Sequence, residues 1–103
     1  TPSCLLAVDL LEKVGVERYK VGSCDLTNKL LLKKIAQTGK PIIISSGMIT
    51  LNEIRKTVKY VKQFGSNYAI LHCTSQYPTE PEDIRLDLIK KYKSEFDYPI
   101  GYL

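Results

Sequence analysis

The chain of 103 residues contains one histidine and three cysteines, and no apolar run in it approaches the roughly 20 residues that a membrane-spanning helix needs. No secretory leader is recognisable. Cys4, Cys24 and Cys73 cannot all pair with one another, and their spacing fits no zinc template, so reduced thiols in a cytoplasmic setting are expected. No strand is followed by G-x-G-x-x-G, and G-x-x-x-x-G-K-[ST] does not occur, so nucleotide-binding loops are unsupported. Low-complexity segments and linkers are missing as well. What is left is one domain, or a piece of a larger one. Because residue 1 is Thr rather than Met, the natural protein is expected to extend upstream.

The formal charge of +4 invites a nucleic-acid reading. The lysines argue otherwise. Lys29, Lys33 and Lys34, then Lys56, Lys59 and Lys62, then Lys90, Lys91 and Lys93 fall on three separate helical segments, and Glu12, Glu53, Glu82, Asp83, Asp87 and Glu95 break up the positive field. A phosphate-tracking surface concentrates its charge on one face. Solvated helix faces account for this pattern, and neither nucleic acid nor a membrane is expected as a partner.

Helix and strand signals alternate with short joints. Leu5 to Val14 reads as a helix with Leu6, Leu10, Leu11 and Val14 on one stripe and Gly15 as its stop. A strand covers Tyr19 to Gly22, and Leu26 to Thr38 is a second helix, capped by Asp25 or Thr27 and closed by Gly39. Pro41 to Ser45, nearly all β-branched, has the composition of a strand buried on both faces. Thr50 to Phe64 is the clearest helix: Thr50 and Glu53 form a T-x-x-E capping box, Ile54, Val58 and Val61 make the inner stripe, and Gly65 ends it. Tyr68 to Cys73 is the third strand, Pro81 to Tyr92 a helix carrying Ile84, Leu88 and Ile89, and Pro99 to Leu103 a fourth strand. This alternation predicts an α/β protein with a parallel sheet and helical crossovers.

Each strand is apolar at its start and polar at its end. Arg18-Tyr19-Lys20-Val21 runs into Gly22-Ser23-Cys24-Asp25, Lys40 to Ile44 into Ser45-Ser46-Gly47, and Tyr68 to Leu71 into His72-Cys73-Thr74-Ser75 and Tyr77. Parallel α/β proteins bind ligands outside the carboxyl ends of their strands. Three such ends in succession predict a shared pocket.

Five blocks, TPS with an apolar helix behind it, YKVGSCDLTN, GKPIIISSGM, LHCTSQYPTEPEDIRL and PIGY, stand in an order and at a spacing that resemble the catalytic barrel of the sialic acid synthase family. That family includes N-acetylneuraminate, legionaminate and pseudaminate synthases and the spore-coat polysaccharide enzymes. The resemblance implies a partial (β/α)8 barrel of about four consecutive βα units, residues 1–103 being its central fragment, without the family's antifreeze-like domain. It implies condensation of phosphoenolpyruvate with an N-acyl hexose such as N-acetylmannosamine. In that reaction a divalent metal, manganese or magnesium, polarises the aldehyde, the enol carbon attacks it, water adds to the resulting cation, and phosphate leaves. The full-length family is expected to form homodimers.

By resemblance, Lys20 supplies the cation for phosphoenolpyruvate, and Thr1, Ser23, Ser45 and Ser75 supply hydroxyls to its carboxylate and phosphate. Asp25 matches an acidic position that serves in proton transfer, and Tyr77 one that lines the sugar pocket. Other readings stand beside these. Lys20 also reads as a snorkelling lysine, Asp25 as an N-cap, Ser45 and Ser46 as partners of loop backbone, Cys73 as a small buried apolar residue, and Tyr77 as part of the barrel rim. His72 is expected to be a hydrogen-bonded barrel histidine, since the family's metal ligand lies elsewhere.

The chain also departs from the pattern. Cys24 stands where the family has Gly, a position at risk of strain if it needs positive φ. Ser3 replaces an aromatic residue, and the chain reads Gly101-Tyr102-Leu103 where the family continues GYSDH. The metal-binding histidines are therefore expected outside these residues, and the chain alone is expected to be inactive and to self-associate through open strand edges. Two alternatives carry other functions: a non-catalytic half-barrel that pairs with another chain, and a Schiff-base aldolase barrel with Lys20 as nucleophile.

Overall fold

Four short strands, Tyr19–Val21 (β1), Ile42–Ser45 (β2), Tyr68–His72 (β3) and Ile100–Tyr102 (β4), pair in chain order in one parallel sheet. The computed structural model describes residues 1–47, 49–76 and 78–103. Register runs straight across: Lys20 opposes Ile43, Ile43 opposes Ala69, Ser45 opposes Leu71, and Leu71 opposes Gly101. Between the strands lie α2 (Lys29–Ala36), α3 (Leu51–Lys62) and α4 (Asp87–Glu95), with α1 (Leu5–Val14) preceding β1. Each strand neighbours the next one in sequence, so the sheet has no reversal of winding. That is the order of a barrel wall, and the chain is a partial (β/α)8 barrel rather than a doubly wound sheet.

The alternation of side chains along the strands sets the layers. Tyr19, Val21, Ile42, Ile44, Tyr68, Ile70 and His72 are buried on one face, while Lys20, Ile43, Ala69 and Leu71 on the other are half-exposed. The buried face meets Leu31, Leu32 and Ile35 of α2, Ile54, Val58 and Val61 of α3, and Tyr92 of α4 in one core. Enclosing an Ile or Val side chain of this kind contributes about 1.5–3 kcal/mol.

The sequence placed α1 with its exact bounds, but of its apolar stripe Leu11 alone packs against the core and the rest faces outward. Leu6, Leu10 and Val14 are 78%, 62% and 72% exposed, and the helix buries Val8 instead. The reason is polar tethering along the other side. Asp9 pairs with Lys34 of α2 at 2.8 Å, and Glu12 accepts from both the Tyr19 hydroxyl at 2.5 Å and Lys40 at 3.1 Å. These contacts fix the rotation that turns Val8 inward. Gly15 then ends the helix at φ 85°, its amide reaching back to the Leu11 and Glu12 carbonyls, a left-handed stop that favours glycine.

The start of α2 also moves. A 3-10 turn at Ser23–Asp25 takes up the residues expected to open the helix, and Asn28 is the cap, its Oδ1 accepting from Leu31 N at 3.2 Å. Asp25 and Thr27 do not cap it. In α3, Thr50 accepts from Glu53 N at 3.3 Å as expected. The segment Pro81 to Tyr92 is not one helix. A 3-10 turn covers Pro81–Asp83, Ile84 is extended at ψ 115°, and α4 begins only at Asp87, burying Tyr92, with Phe96 buried just past its end.

Candidate functional site

At the carboxyl end of the sheet the open face carries the polar residues. Lys20 leaves the middle of β1 toward this face, and Ser45 leaves the end of β2 on the same side, two positions beyond Ile43, the register partner of Lys20. Lys20 lines a cavity of about 440 Å³ with Thr74, Gln76, Pro78 and Thr79 of the loop after β3, with Tyr102 of β4 and with Leu103 after it. A cation from one strand and amide and hydroxyl groups from another strand's end thus face one hollow.

The two serines after Ile44 play different parts. Ser46 is satisfied by the neighbouring strand: its hydroxyl donates to the Leu71 carbonyl at 3.2 Å and its amide to the same carbonyl at 3.0 Å. Ser45 is 3% exposed, and its Oγ has no hydrogen-bond partner among the described residues. Leaving a buried hydroxyl unpaired costs about 1–3 kcal/mol. Ser45 is therefore a buried hydroxyl with free capacity for an incoming acceptor or donor.

Ser23 and Ser75 come together over Gly47. The Gly47 amide donates to Ser23 Oγ at 2.8 Å, and Ser23 Oγ lies 3.7 Å from Cys73 Sγ. An ideal Cβ built on Gly47 would lie 2.6 Å from Cys73 Sγ, 2.8 Å from Ser75 Oγ and 3.3 Å from Ser23 Oγ. Side chains from the ends of β1 and β3 thus crowd onto the backbone after β2. Cys73 is half-exposed and part of this group, not the buried apolar residue of the sequence reading.

Asp25 is half-buried beside this cluster, its Oδ2 accepting a weak bond from the Cys24 thiol at 3.9 Å. Cys24 is exposed and has no positive φ, so the departure from Gly imposes no backbone strain. Thr1 is exposed at the amino end, and no hydrogen bond among the described residues ties it to Ser23, Ser45 or Ser75. Tyr77 lies outside the described residues.

His72 differs from expectation. Its side chain points to the helix face of the sheet, 5% exposed, with Tyr92 and Tyr102 rings 6.1 and 6.0 Å away, and neither ring nitrogen has a hydrogen-bond partner among the described residues. Burial lowers its pKa below the ordinary imidazole value; Asp87 opposes this shift and Arg85 adds to it. It is a core aromatic residue, separated from Lys20 by the sheet.

Among the described residues no three His, Cys, Asp or Glu side chains converge closely enough to hold a metal ion. These residues do not by themselves form the divalent-metal site that the resemblance implies. A larger cleft of about 610 Å³, lined by Glu17, Arg18, Asn67, Tyr68 and Tyr98 among others, opens at the opposite end of the strands. That end is where barrel residues serve stability rather than catalysis. Gly47, Cys73, Thr74 and Gln76 were not singled out as site residues from sequence. The glycine directly after two strand-end serines was the available signal.

Comparison with known proteins adds independent evidence. The NeuB family model matches residues 1–103. A Methanocaldococcus jannaschii protein, MJ1065, is 47% identical over 103 residues, covering 99% of this chain and 31% of that protein. The N-acetylneuraminate-9-phosphate synthase of Homo sapiens is 42% identical over 98 residues, 94% of this chain and 27% of that enzyme. The crystal structure of an N-acetylneuraminic acid synthetase from Leptospira borgpetersenii, in complex with citrate, superimposes with a TM-score of 0.94 at 37% identity, over 98% of this chain and 35% of that one. The chain thus spans about a third or less of the proteins it matches. No helix among the described residues is long and apolar enough to cross a membrane.

Proposed function

Because the chain belongs to the NeuB family, we propose that it forms the phosphoenolpyruvate-binding wall of a barrel synthase that joins phosphoenolpyruvate to an N-acyl hexose of the N-acetylmannosamine kind, giving a sialic acid and phosphate. The observation that carries this reading is the buried Ser45 hydroxyl, unpartnered among the described residues, on the face from which Lys20 projects. Phosphoenolpyruvate brings a carboxylate and a phosphate into one site, and an ammonium beside several hydroxyl donors matches that demand.

The roles follow from the bonds already made. Lys20 holds the anionic ligand as a point charge. Ser23 accepts the Gly47 amide through one lone pair, and its own proton, which at rest has only the weak 3.7 Å contact with Cys73 Sγ to serve, can turn to a phosphate or carboxylate oxygen. Ser45 donates its unused proton, and Ser75, exposed at the rim, closes the same group. Asp25, two residues after Ser23, is assigned by family pattern to take or give a proton at the water or the sugar hydroxyl. Thr1 and Tyr77 remain assigned by family pattern, the former to the anion and the latter to the sugar.

Serine-rich strand ends and Lys20 beside them favour phosphate and carboxylate recognition over Schiff-base chemistry, which calls for a desolvated lysine; Lys20 is half-exposed. Three free thiols fit a reducing, cytoplasmic setting. The test is a nuclear magnetic resonance titration of the chain with phosphoenolpyruvate. Amide shifts are expected at Lys20, Ser23, Ser45, Gly47 and Ser75; shifts confined to Asn67, Tyr68 and Arg18, at the other end of the strands, overturn the reading.

A further inference from the structure

Gly47 has an unusual reason for being glycine. Its φ is not positive, so backbone conformation does not demand it. Space does. The point that a Cβ would occupy is already contested by Cys73 Sγ at 2.6 Å, Ser75 Oγ at 2.8 Å and Ser23 Oγ at 3.3 Å. Contacts under 3 Å force something to move, and the atoms that can move are the ends of these three side chains. Cys73 directly follows β3 and is half-buried, so its Sγ has less room to rotate away than the hydroxyl of Ser75, which is exposed.

We propose that Gly47 is a positioning residue: the missing side chain at the end of β2 is what lets Ser23 from β1 and Cys73 and Ser75 from β3 converge into one hydroxyl- and thiol-lined cradle. The Gly47 amide adds the orientation of Ser23, because the N–H that it donates at 2.8 Å fixes which way the serine proton can point. The inference rests on the proposed binding of phosphoenolpyruvate for its functional consequence. It rests on geometry alone for its structural one.

The geometry also predicts which second change relieves the first. In Gly47→Ala the closest clash is with Cys73 Sγ, so Cys73→Ala removes the nearest obstacle and leaves the exposed Ser75 hydroxyl to turn aside. The two substitutions are coupled, not additive.

The experiment measures three quantities on the 103-residue chain: affinity for phosphoenolpyruvate, the thermal midpoint, and the rate at which Cys73 reacts with a thiol reagent in a Cys4→Ser, Cys24→Ser background. Expected are a loss of phosphoenolpyruvate affinity of about tenfold or more in Gly47→Ala, a several-fold rise in Cys73 reactivity, and recovery of most of the affinity in Gly47→Ala with Cys73→Ala. A merely structural role would lower the thermal midpoint in step with affinity. Gly47→Ala that binds as wild type does, or that unfolds and is not rescued by Cys73→Ala, overturns the proposal. If the wild type does not bind phosphoenolpyruvate at all, the functional reading fails, and the thiol rate decides this one: an unchanged rate in Gly47→Ala sinks it.

Discussion

Lys20 of β1 and Ser45 of β2 stand on the same face of the parallel sheet, Lys20 opposite Ile43 and Ser45 two positions further toward the carboxyl end. Charge and hydroxyl are thereby stacked along one wall, the hydroxyl nearer the rim. A one-residue slip of β2 would turn Ser45 into the helix layer and Ile44 out of it. The enclosure of Ile42 and Ile44 on the helix side, both 0% exposed, is what fixes this register. The core packing therefore sets the geometry of the site.

Ser45→Ala should raise stability while weakening ligand binding. The hydroxyl is buried without a partner among the described residues, so its removal is expected to be neutral or to stabilise the chain by up to about 1 kcal/mol, while phosphoenolpyruvate loses a donor. Urea denaturation with and without ligand checks both halves. A clear loss of stability in the ligand-free chain would show that Ser45 is already satisfied.

Tyr19 should titrate well above the ordinary phenol value. Burial, first, and then the hydrogen bond to Glu12 push its hydroxyl up to about 12, while the same bond and Lys40 hold the Glu12 carboxyl below its usual value. Spectrophotometric titration should show a phenol ionising at about 12 that vanishes in Tyr19→Phe, with a stability loss of about 1 kcal/mol for the lost hydrogen bond. The loss should loosen α1 first, since this bond ties that helix to the sheet. A Tyr19→Phe titration curve identical to wild type would refute the assignment.

His72 should make stability fall in mild acid. Its folded pKa is lowered by burial, so the unfolded chain takes up the proton first as pH drops below about 6.5, and stability declines from there down through the lowered folded value. The sign is opposite to that of a paired histidine, and Asp87 and Arg85 on the α4 side act against each other on it. Urea midpoints measured from neutral pH downward should slope, and His72→Phe, which suits the space between Tyr92 and Tyr102, should flatten that slope. Equal slopes would mean that another group titrates.

Much of this arrangement was legible in the residues, and the misses share a cause. β-branched runs, the Thr50 cap and the glycine stops are local signals, and each element they mark is present. The outward row of Leu6, Leu10 and Val14 was misread because helical periodicity shows that a stripe exists, not which side the polar tethers of Asp9 and Glu12 will leave free. Asn28 displaced Asp25 as a cap because a 3-10 turn intervened, which no spacing rule announces. The lone histidine attracted a polar role, yet its parity with Tyr68 and Ile70 already put it on the helix face. The crowding over Gly47 depends on three strands at once, and only coordinates bring them together.

Calorimetric titration of phosphoenolpyruvate into the wild-type chain and into Lys20→Ala tests the central claim most directly. A charged donor to an anionic ligand is worth about 1.5–3 kcal/mol, so affinity should fall about tenfold or more in the variant while its thermal midpoint stays near that of wild type. Equal affinity in the two chains would contradict the account, because the wall described here would then hold its anion without the cation that faces it.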